Sequence, residues 1–161
     1  RLASIAVRRR PHVALLATGD ELQSPGLALG PAQIYESNSS ALAALLRNAG
    51  AIPTLVPHVP DRLDATVEAL RAALDGSDLV VTAGGASVGD HDYVRSAVEQ
   101  VGGTIDFWRI AMKPGKPFFH ARVGSQHILG LPGNPVSALI CAVLFLGPAI
   151  ARLDLAQREA A

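Results

Sequence analysis

The sequence predicts an α/β fold with three layers, in which a mostly parallel sheet lies between helices and carries an antiparallel hairpin at one edge. Short apolar runs alternate with helical patterns along the chain, as in parallel strands joined by crossover helices. Near the C-terminal side, two strand patterns are separated only by Gly124 and Ser125, which indicates a hairpin. The 161 residues, 49% of them apolar, are enough for one hydrophobic core.

Six segments have the composition of strands. Residues 13–17 are apolar on both faces, as buried parallel strands are. Residues 78–82, with the apolar run at 79–81, form another strand. Residues 52–59 contain Pro53 and Pro57, which places this strand near an edge of the sheet. The remaining strands are predicted at residues 104–112, 117–123 and 126–131.

Four helices are predicted from apolar positions that recur on one face, at about residues 38–49, 61–75, 93–101 and 135–146. Asn38 or Ser39 can cap the first helix, and Asp61 begins the second. Asn134 caps the last helix, in which Pro135 takes the first helical position.

Composition argues against several classes of protein. Fourteen Lys and Arg balance fourteen Asp and Glu, and basic residues cluster only at Arg8, Arg9 and Arg10, so no nucleic acid partner is expected. The single Cys141 lies in an apolar segment and is interpreted as a buried thiol, which fits a reducing, cytoplasmic compartment. The five histidines show no zinc-ligand spacing.

Residues 128–151 carry no formal charge and raise the question of a membrane span. Residues 132–135 include two prolines, and Pro148 interrupts the far end, so the remaining apolar stretch is expected to be a buried helix rather than a span. No signal peptide is recognised at the N-terminus, and we expect no membrane partner.

Four polar or glycine-rich loops follow predicted strands, at residues 18–22, 84–92, 113–117 and 130–137. Ligands of open α/β sheets bind beyond the carboxyl ends of the strands. Glycine amides in these loops can approach phosphates, and Glu21, Asp90 and Asp92 suit a Mg²⁺ ion shared with a phosphorylated ligand. The pattern favours a magnesium-dependent site for such a ligand.

Each of these features also has a purely structural interpretation. Gly84 and Gly85 can simply turn the chain, and Asp90 or Asp92 can cap the following helix. Lys113 and Lys116, taken alone, are more often solvated than functional. Convergence of the four loops at one end of the sheet is what favours a site.

Five motifs occur in order: TGDEL (18–22), IYESNS (34–39), GGASVGDHDY (84–93), KPGKP (113–117) and GLPGNPVS (130–137). Together they resemble the molybdopterin molybdenumtransferase family, whose animal member is the E domain of gephyrin, over about residues 8–150. Two sister families on the same fold, the molybdopterin adenylyltransferases and the competence/damage-inducible domain, share the Thr-x-Gly-Gly strand end. The sequence of residues 87–93 favours the molybdenumtransferases.

The resemblance implies Mg²⁺-dependent insertion of molybdate into adenylylated molybdopterin, with release of AMP. It suggests Asp92, Glu21, Asp78 and Lys113 as catalytic residues, with Asp92 and Glu21 at the metal. An Arg at position 109 stands where the family usually has Lys. The residues it suggests for ligand binding are Thr18, Gly19, Asn38, Gly84, Gly85, Ser87, Arg109, Lys116, Gly133, Asn134 and Ser137.

The predicted organisation is a linker remnant at residues 1–11, a molybdopterin-binding α/β domain at 12–150 and a C-terminal tail at 151–161. Full-length members of the family carry further domains and complete their active site across a homodimer, so the chain is expected to be an excised central domain. The alternatives are a non-catalytic pterin-nucleotide-binding or scaffold domain, and a molybdopterin adenylyltransferase-like enzyme.

Overall fold

The sheet that the sequence predicts is present. The computed structural model describes residues 7–85 and 93–159, with side chains up to residue 153. The main sheet has six strands: β1 (His12–Ala17), β4 (Ile52–Leu55), β5 (Leu79–Ala83), β6 (Thr104–Phe107), β7 (Phe119–Val123) and β8 (Gln126–Leu131). Two short strands, β2 (Leu22–Gln23) and β3 (Ile34–Tyr35), pair separately as a parallel ribbon.

The strand order is β4-β1-β5-β8-β7-β6. Strands β4, β1, β5 and β8 are parallel, and β7 pairs antiparallel with both β8 and β6. The predicted hairpin is therefore β7–β8, and β6 adds one more strand outside it. The α/β fold class with an antiparallel margin is confirmed.

Helices cover both faces of the sheet. They are α1 (Asn38–Asn48), α2 (Leu63–Leu74), α3 (Tyr93–Gln100), α4 (Pro135–Cys141) and α5 (Gly147–Glu159), with a π-helical turn (Ala142–Leu146) between the last two. One core cluster contains residues of α1, α4, the π-helical turn and α5, and the other contains residues of α2 and α3. This arrangement gives the three predicted layers.

Strand β1 shows why a continuous apolar run marks the centre of such a sheet. Val13 and Leu15 belong to the core cluster on one face, while Ala14 and Leu16 belong to the cluster on the other. Successive side chains of a strand point to opposite faces, so a strand covered on both faces needs apolar residues at every position.

Two helix starts differ from the sequence-based expectation. The side chains of Asn38 and Ser39 do not cap α1; instead, Glu36 accepts a hydrogen bond from the Ser39 backbone N–H at 2.9 Å. Helix α2 begins at Leu63, two residues after Asp61. The cap of α4 is confirmed, because Asn134 accepts a hydrogen bond from the Ser137 backbone N–H at 3.2 Å.

The last helix is longer than predicted. It does not end near residue 146 but continues through the π-helical turn to Glu159, so most of the predicted tail is helical. Pro148 is tolerated because it is the second residue of α5, directly after the change of hydrogen-bond register.

The uninterrupted helix also changes the membrane argument. Pro135–Leu153 has 19 residues and a mean hydropathy of 2.1, so by length and composition alone it is long enough to cross a membrane, and the expectation of a shorter stretch was wrong. One side of the helix carries core residues, including the fully buried Cys141, but only 28% of the apolar window is buried, so the expected buried helix is buried on one side only. A single helix that meets only these two criteria is weak evidence for a membrane protein.

Candidate functional site

A cleft of about 510 Å³ lies at the carboxyl ends of β1, β5 and β8. In the sheet, β4 lies on one side of β1 and β5 lies on the other. The direction in which the chain adds strands therefore reverses at β1. Open α/β sheets bind their ligands at such a reversal. The predicted site residues that line the cleft are Thr18, Gly19, Glu21, Asn38, Gly84, Gly85, Gly133, Asn134 and Ser137.

The floor of the cleft is formed by closely packed backbone. A Cβ atom on Gly84 would lie 2.6 Å from the carbonyl oxygen of Thr18, and Gly84 has a φ of +94°. A Cβ atom on Gly133 would lie 3.5 Å from the Cα atom of Gly84. Glycine at position 84 therefore lets the ends of β1, β5 and β8 meet and leaves the space above them open.

Two buried hydroxyl groups, on Thr18 and Thr82, have no hydrogen-bond partner within the described parts of the chain. Of the two residues, only Thr18 lines the cleft. The Thr18 Oγ1 atom would lie 3.0 Å from a Cβ atom on Gly85, so the hydroxyl is packed against the glycine pair. Thr18 thus forms the cleft floor through its packing and its backbone.

Asn38 joins the first helix to the loop after β8. Its side-chain amide donates a hydrogen bond to the carbonyl oxygen of Gly133 at 2.8 Å. This bond connects the start of α1 with the segment that leads into α4, and both elements line the cleft. Asn38 therefore has a clear structural role in the wall of the cleft.

Among the described residues, three carboxylates line the cleft, on Glu21, Glu36 and Asp61. The Glu21 carboxylate folds back over Gly19, where a Cβ atom would lie 2.6 Å from Glu21 Oε2. Sequence reasoning missed Glu36 and Asp61 as site residues. The available signal for Asp61 was its position just after a predicted parallel strand, but we interpreted it only as a helix start.

No Lys or Arg side chain is among the described residues that line the cleft. Arg109, Lys113 and Lys116 are exposed on the segment between β6 and β7, and only Pro117 of the KPGKP motif lines the cleft. The described lining is therefore acidic. An anionic ligand in it requires a compensating positive charge.

Asp78 lies elsewhere. It precedes β5 and so occupies the amino end of that strand, not the carboxyl-end edge where the cleft lies. Its carboxylate accepts hydrogen bonds from the Arg9 guanidinium at 2.7 Å and from the His12 backbone N–H at 2.8 Å. The hydrogen bond from Arg9 holds the pKa of Asp78 below its usual range. Asp78 therefore links the segment before β5 to the segment that leads into β1.

The other predicted acidic ligands, Asp90 and Asp92, lie outside the described residues, as does Ser87. In the described ranges, no three His, Cys, Asp or Glu side chains are placed together to hold a metal ion. The two carboxylates Glu21 and Asp61 are compatible with Mg²⁺, which usually takes one or two protein carboxylates and completes its shell with water and substrate phosphate.

Comparison with known proteins identifies close relatives. The chain is 41% identical over 152 residues to the molybdopterin molybdenumtransferase of Nostoc sp., covering 92% of this chain and 35% of that protein. It is 39% identical over 153 residues to the enzyme of the same name from Haemophilus influenzae, covering 95% of this chain and 38% of that protein. The chain thus spans about a third of the length of these curated relatives.

Solved structures agree with this relationship. A molybdopterin biosynthesis protein from Pyrococcus horikosii superposes with a TM-score of 0.81 at 32% identity, covering 89% of this chain and 35% of that chain. A molybdopterin biosynthesis protein from Mycobacterium abscessus matches with a TM-score of 0.69 at 16% identity, covering 93% and 98%, and supports the fold alone.

A family model described as a probable molybdopterin binding domain matches residues 14–152, which include every described strand and helix that lines the cleft. The resemblance noted from the five motifs is thereby confirmed. The chain belongs to the molybdopterin-binding domain family of molybdenum cofactor biosynthesis.

Proposed function

We propose that this chain is the central domain of a molybdopterin molybdenumtransferase, and that its cleft binds adenylylated molybdopterin during Mg²⁺-dependent insertion of molybdate, with release of AMP. The relatives of that name support the activity. The observation that carries the proposal is the cleft itself, which has an open glycine floor and lies where the strand order reverses. Its described lining contains carboxylates and no Lys or Arg side chain.

The acidic lining gives Mg²⁺ its role. Glu21 and Asp61 hold the ion, and Asp92 is proposed as a further ligand. Bound Mg²⁺ supplies the positive charge that the phosphate of the ligand needs in this cleft. The carboxylates of the chain also keep phosphate from binding without the metal, because like charges at short range repel.

The remaining predicted residues act on the ligand. Gly84, Gly85 and Gly133 allow the ligand to approach the backbone, with Thr18 and Gly19 beside them. Asn38, Asn134 and Ser137 shape the opposite wall, and Ser87 is proposed to contact the ligand from the loop after β5. Lys113 is proposed to meet phosphate or molybdate, with Lys116 and Arg109 in secondary roles.

The full-length protein is proposed to work in the cytoplasm as a homodimer, with a second subunit completing the site. A second candidate function is ligand binding without turnover. It is favoured by the absence of a cationic side chain from the described cleft lining. The two functions share the cleft and differ in whether the full-length protein releases AMP.

The test combines calorimetry with an assay of AMP release. Adenylylated molybdopterin and AMP are titrated into the chain with and without Mg²⁺, and molybdate is then added to the complex. We expect Mg²⁺-dependent binding that Glu21→Gln and Asp61→Asn each weaken about 10-fold or more, as is usual when a metal site is disturbed. Glu99→Gln is the control, because Glu99 is exposed on α3 and pairs with Arg95.

The outcomes separate the candidates. AMP release is also measured with the full-length protein, because a second subunit is proposed to complete the site. Molybdate-dependent release supports the transferase, whereas binding without release by the full-length protein supports the binding domain. Equal binding with and without Mg²⁺, or unchanged binding by both carboxylate variants, contradicts the proposed metal site. Failure of the wild-type chain to bind either nucleotide contradicts both functions.

A further inference from the structure

Asp20 and Asp61 form a reciprocal pair between two loops. The backbone N–H of Asp61 donates a hydrogen bond to Asp20 Oδ1 at 3.0 Å, and the backbone N–H of Asp20 donates one to Asp61 Oδ2 at 3.3 Å. Asp20 belongs to the loop after β1, and Asp61 precedes α2. Each carboxylate therefore accepts the amide proton of the other residue.

Further contacts bring the same two loops together. His58 Nε2 lies 2.7 Å from the carbonyl oxygen of Gly19, and the Val59 backbone N–H donates to the carbonyl oxygen of Ala17 at 3.2 Å. Thr18 and Val59 form an isolated parallel bridge. The Asp20–Asp61 pair is the next contact between these two loops, at the end that borders the cleft.

The two members of the pair differ in their relation to the cleft. Asp61 lines it, whereas Asp20 is exposed and is not among the lining residues. Because Asp61 Oδ2 is held by the Asp20 amide, the orientation of the Asp61 carboxylate depends on the position of the Asp20 loop. The neighbouring Glu21, whose carboxylate lies over Gly19, is carried by the same loop.

We propose that Asp20 is a positioning residue that holds the Asp61 carboxylate toward the cleft and so sets the affinity of the cleft for a divalent cation bound together with a phosphorylated ligand. This inference rests on the proposed function. Asp20 acts here as a hydrogen-bond acceptor for the Asp61 amide, so an asparagine oxygen in the same place serves equally well. The negative charge of Asp20 is not required.

The experiment measures Mg²⁺ affinity by calorimetry in the presence of AMP. We expect Asp20→Ala to weaken it about 10-fold or more, the usual effect of removing a group that orients a metal ligand. We expect Asp20→Asn to stay within about 2-fold of wild type, because the acceptor is kept. Asp20→Glu keeps the charge but moves the carboxylate by one methylene group, and we expect it to weaken the affinity as alanine does.

Two further measurements distinguish positioning from a general loss of structure. Asp64→Ala is the matched control, since Asp64 is an exposed carboxylate of the same region that pairs with Arg62. Hydrogen exchange without metal should show the Asp61 amide losing protection in Asp20→Ala and keeping it in Asp20→Asn. Asp20→Asn and Asp20→Glu retain a polar side chain, so they decide the question if the alanine variant does not fold.

The results also separate this inference from the function on which it rests. Wild-type binding that is absent or independent of Mg²⁺ overturns the proposed function, and the role of Asp20 with it. Wild-type Mg²⁺-linked binding that Asp20→Ala and Asp20→Glu leave unchanged overturns only the role of Asp20. An asparagine variant as weak as the glutamate variant, or weaker, shows that an acceptor is not what Asp20 supplies and also overturns it.

Discussion

Replacement of Asp78 by alanine should cost stability and leave ligand binding unchanged. The variant loses an ion pair with Arg9, whose side chain is 57% exposed, so this part is worth about 0–1 kcal/mol. It also removes the acceptor of the part-buried His12 backbone N–H, which costs about 1–3 kcal/mol if no other acceptor replaces it. We expect a loss of about 2 kcal/mol, or roughly 4–8 °C in Tm for a domain of this size.

The assay is thermal unfolding of the wild type, Asp78→Ala and the control Asp75→Ala, followed by Mg²⁺-linked titration with AMP. Asp75 is an exposed aspartate three residues away, at the end of α2, so its replacement should change Tm little. Both variants should bind AMP with wild-type affinity, because neither residue lines the cleft. Wild-type Tm combined with lost binding in Asp78→Ala would refute the structural role and restore a role at the site.

The ion pair of Asp78 with Arg9 also predicts how the stability of the protein changes with pH. The pKa of Asp78 is lowered chiefly by its hydrogen bond to Arg9, so the folded state favours the carboxylate more than the unfolded state does. The stabilisation is present above the ordinary aspartate pKa of about 3.9 and is lost as the pH falls through the lowered value. The Tm difference between wild type and Asp78→Ala should therefore shrink below about pH 4.

The remaining predictions concern packing and a second titrating group. Gly130→Ala should lower the free energy of unfolding in urea by about 1–3 kcal/mol, because its Cβ atom would lie 1.7 Å from a ring carbon of buried Phe119. Gly147→Ala is the control: it has open space around it and should not destabilise the helix. Equal stability of the two variants would contradict this packing. Burial lowers the pKa of His120 although Asp106 opposes the shift, so the stability that His120 contributes is present above about pH 6.5 and is lost as the pH falls through the lowered pKa. His120→Gln should therefore lose less stability than wild type between pH 7 and pH 5, and parallel losses would show that His120 is not the group responsible.

Much of the fold and the centre of the site follow from local sequence. The apolar runs of β1, β5 and β8 are buried on both faces, and the residues just after them, such as Thr18, Gly84 and Gly133, line the cleft. This works because the end of a buried parallel strand is fixed by its own apolar run, and because parallel strands deliver their carboxyl ends to the same edge.

The missed features depend on contacts between distant segments. Asp61 follows the predicted strand 52–59, but the observed β4 ends at Leu55, and contacts of Val59 with the end of β1 then bring the chain to the cleft. Local sequence does not show these contacts. The full length of the last helix was missed because a π-helical turn just before Pro148 lets the helix continue past this proline. Single-residue propensity does not predict such a change of hydrogen-bond register.

The acidic residues around the cleft differ in the hydrogen bonds that they already make within the fold. Glu36 accepts a hydrogen bond from the Ser39 amide and Asp20 accepts one from the Asp61 amide, so both have structural partners. Glu21 folds over Gly19 at the cleft wall, and Asp61 engages one carboxylate oxygen with the Asp20 amide. Because a carboxylate offers about four acceptor positions, that single bond leaves Asp61 the capacity to bind a cation. Glu21 and Asp61 are therefore the metal ligands that we propose in the described part of the cleft, and Asp20 is the residue that we propose to hold Asp61 in place.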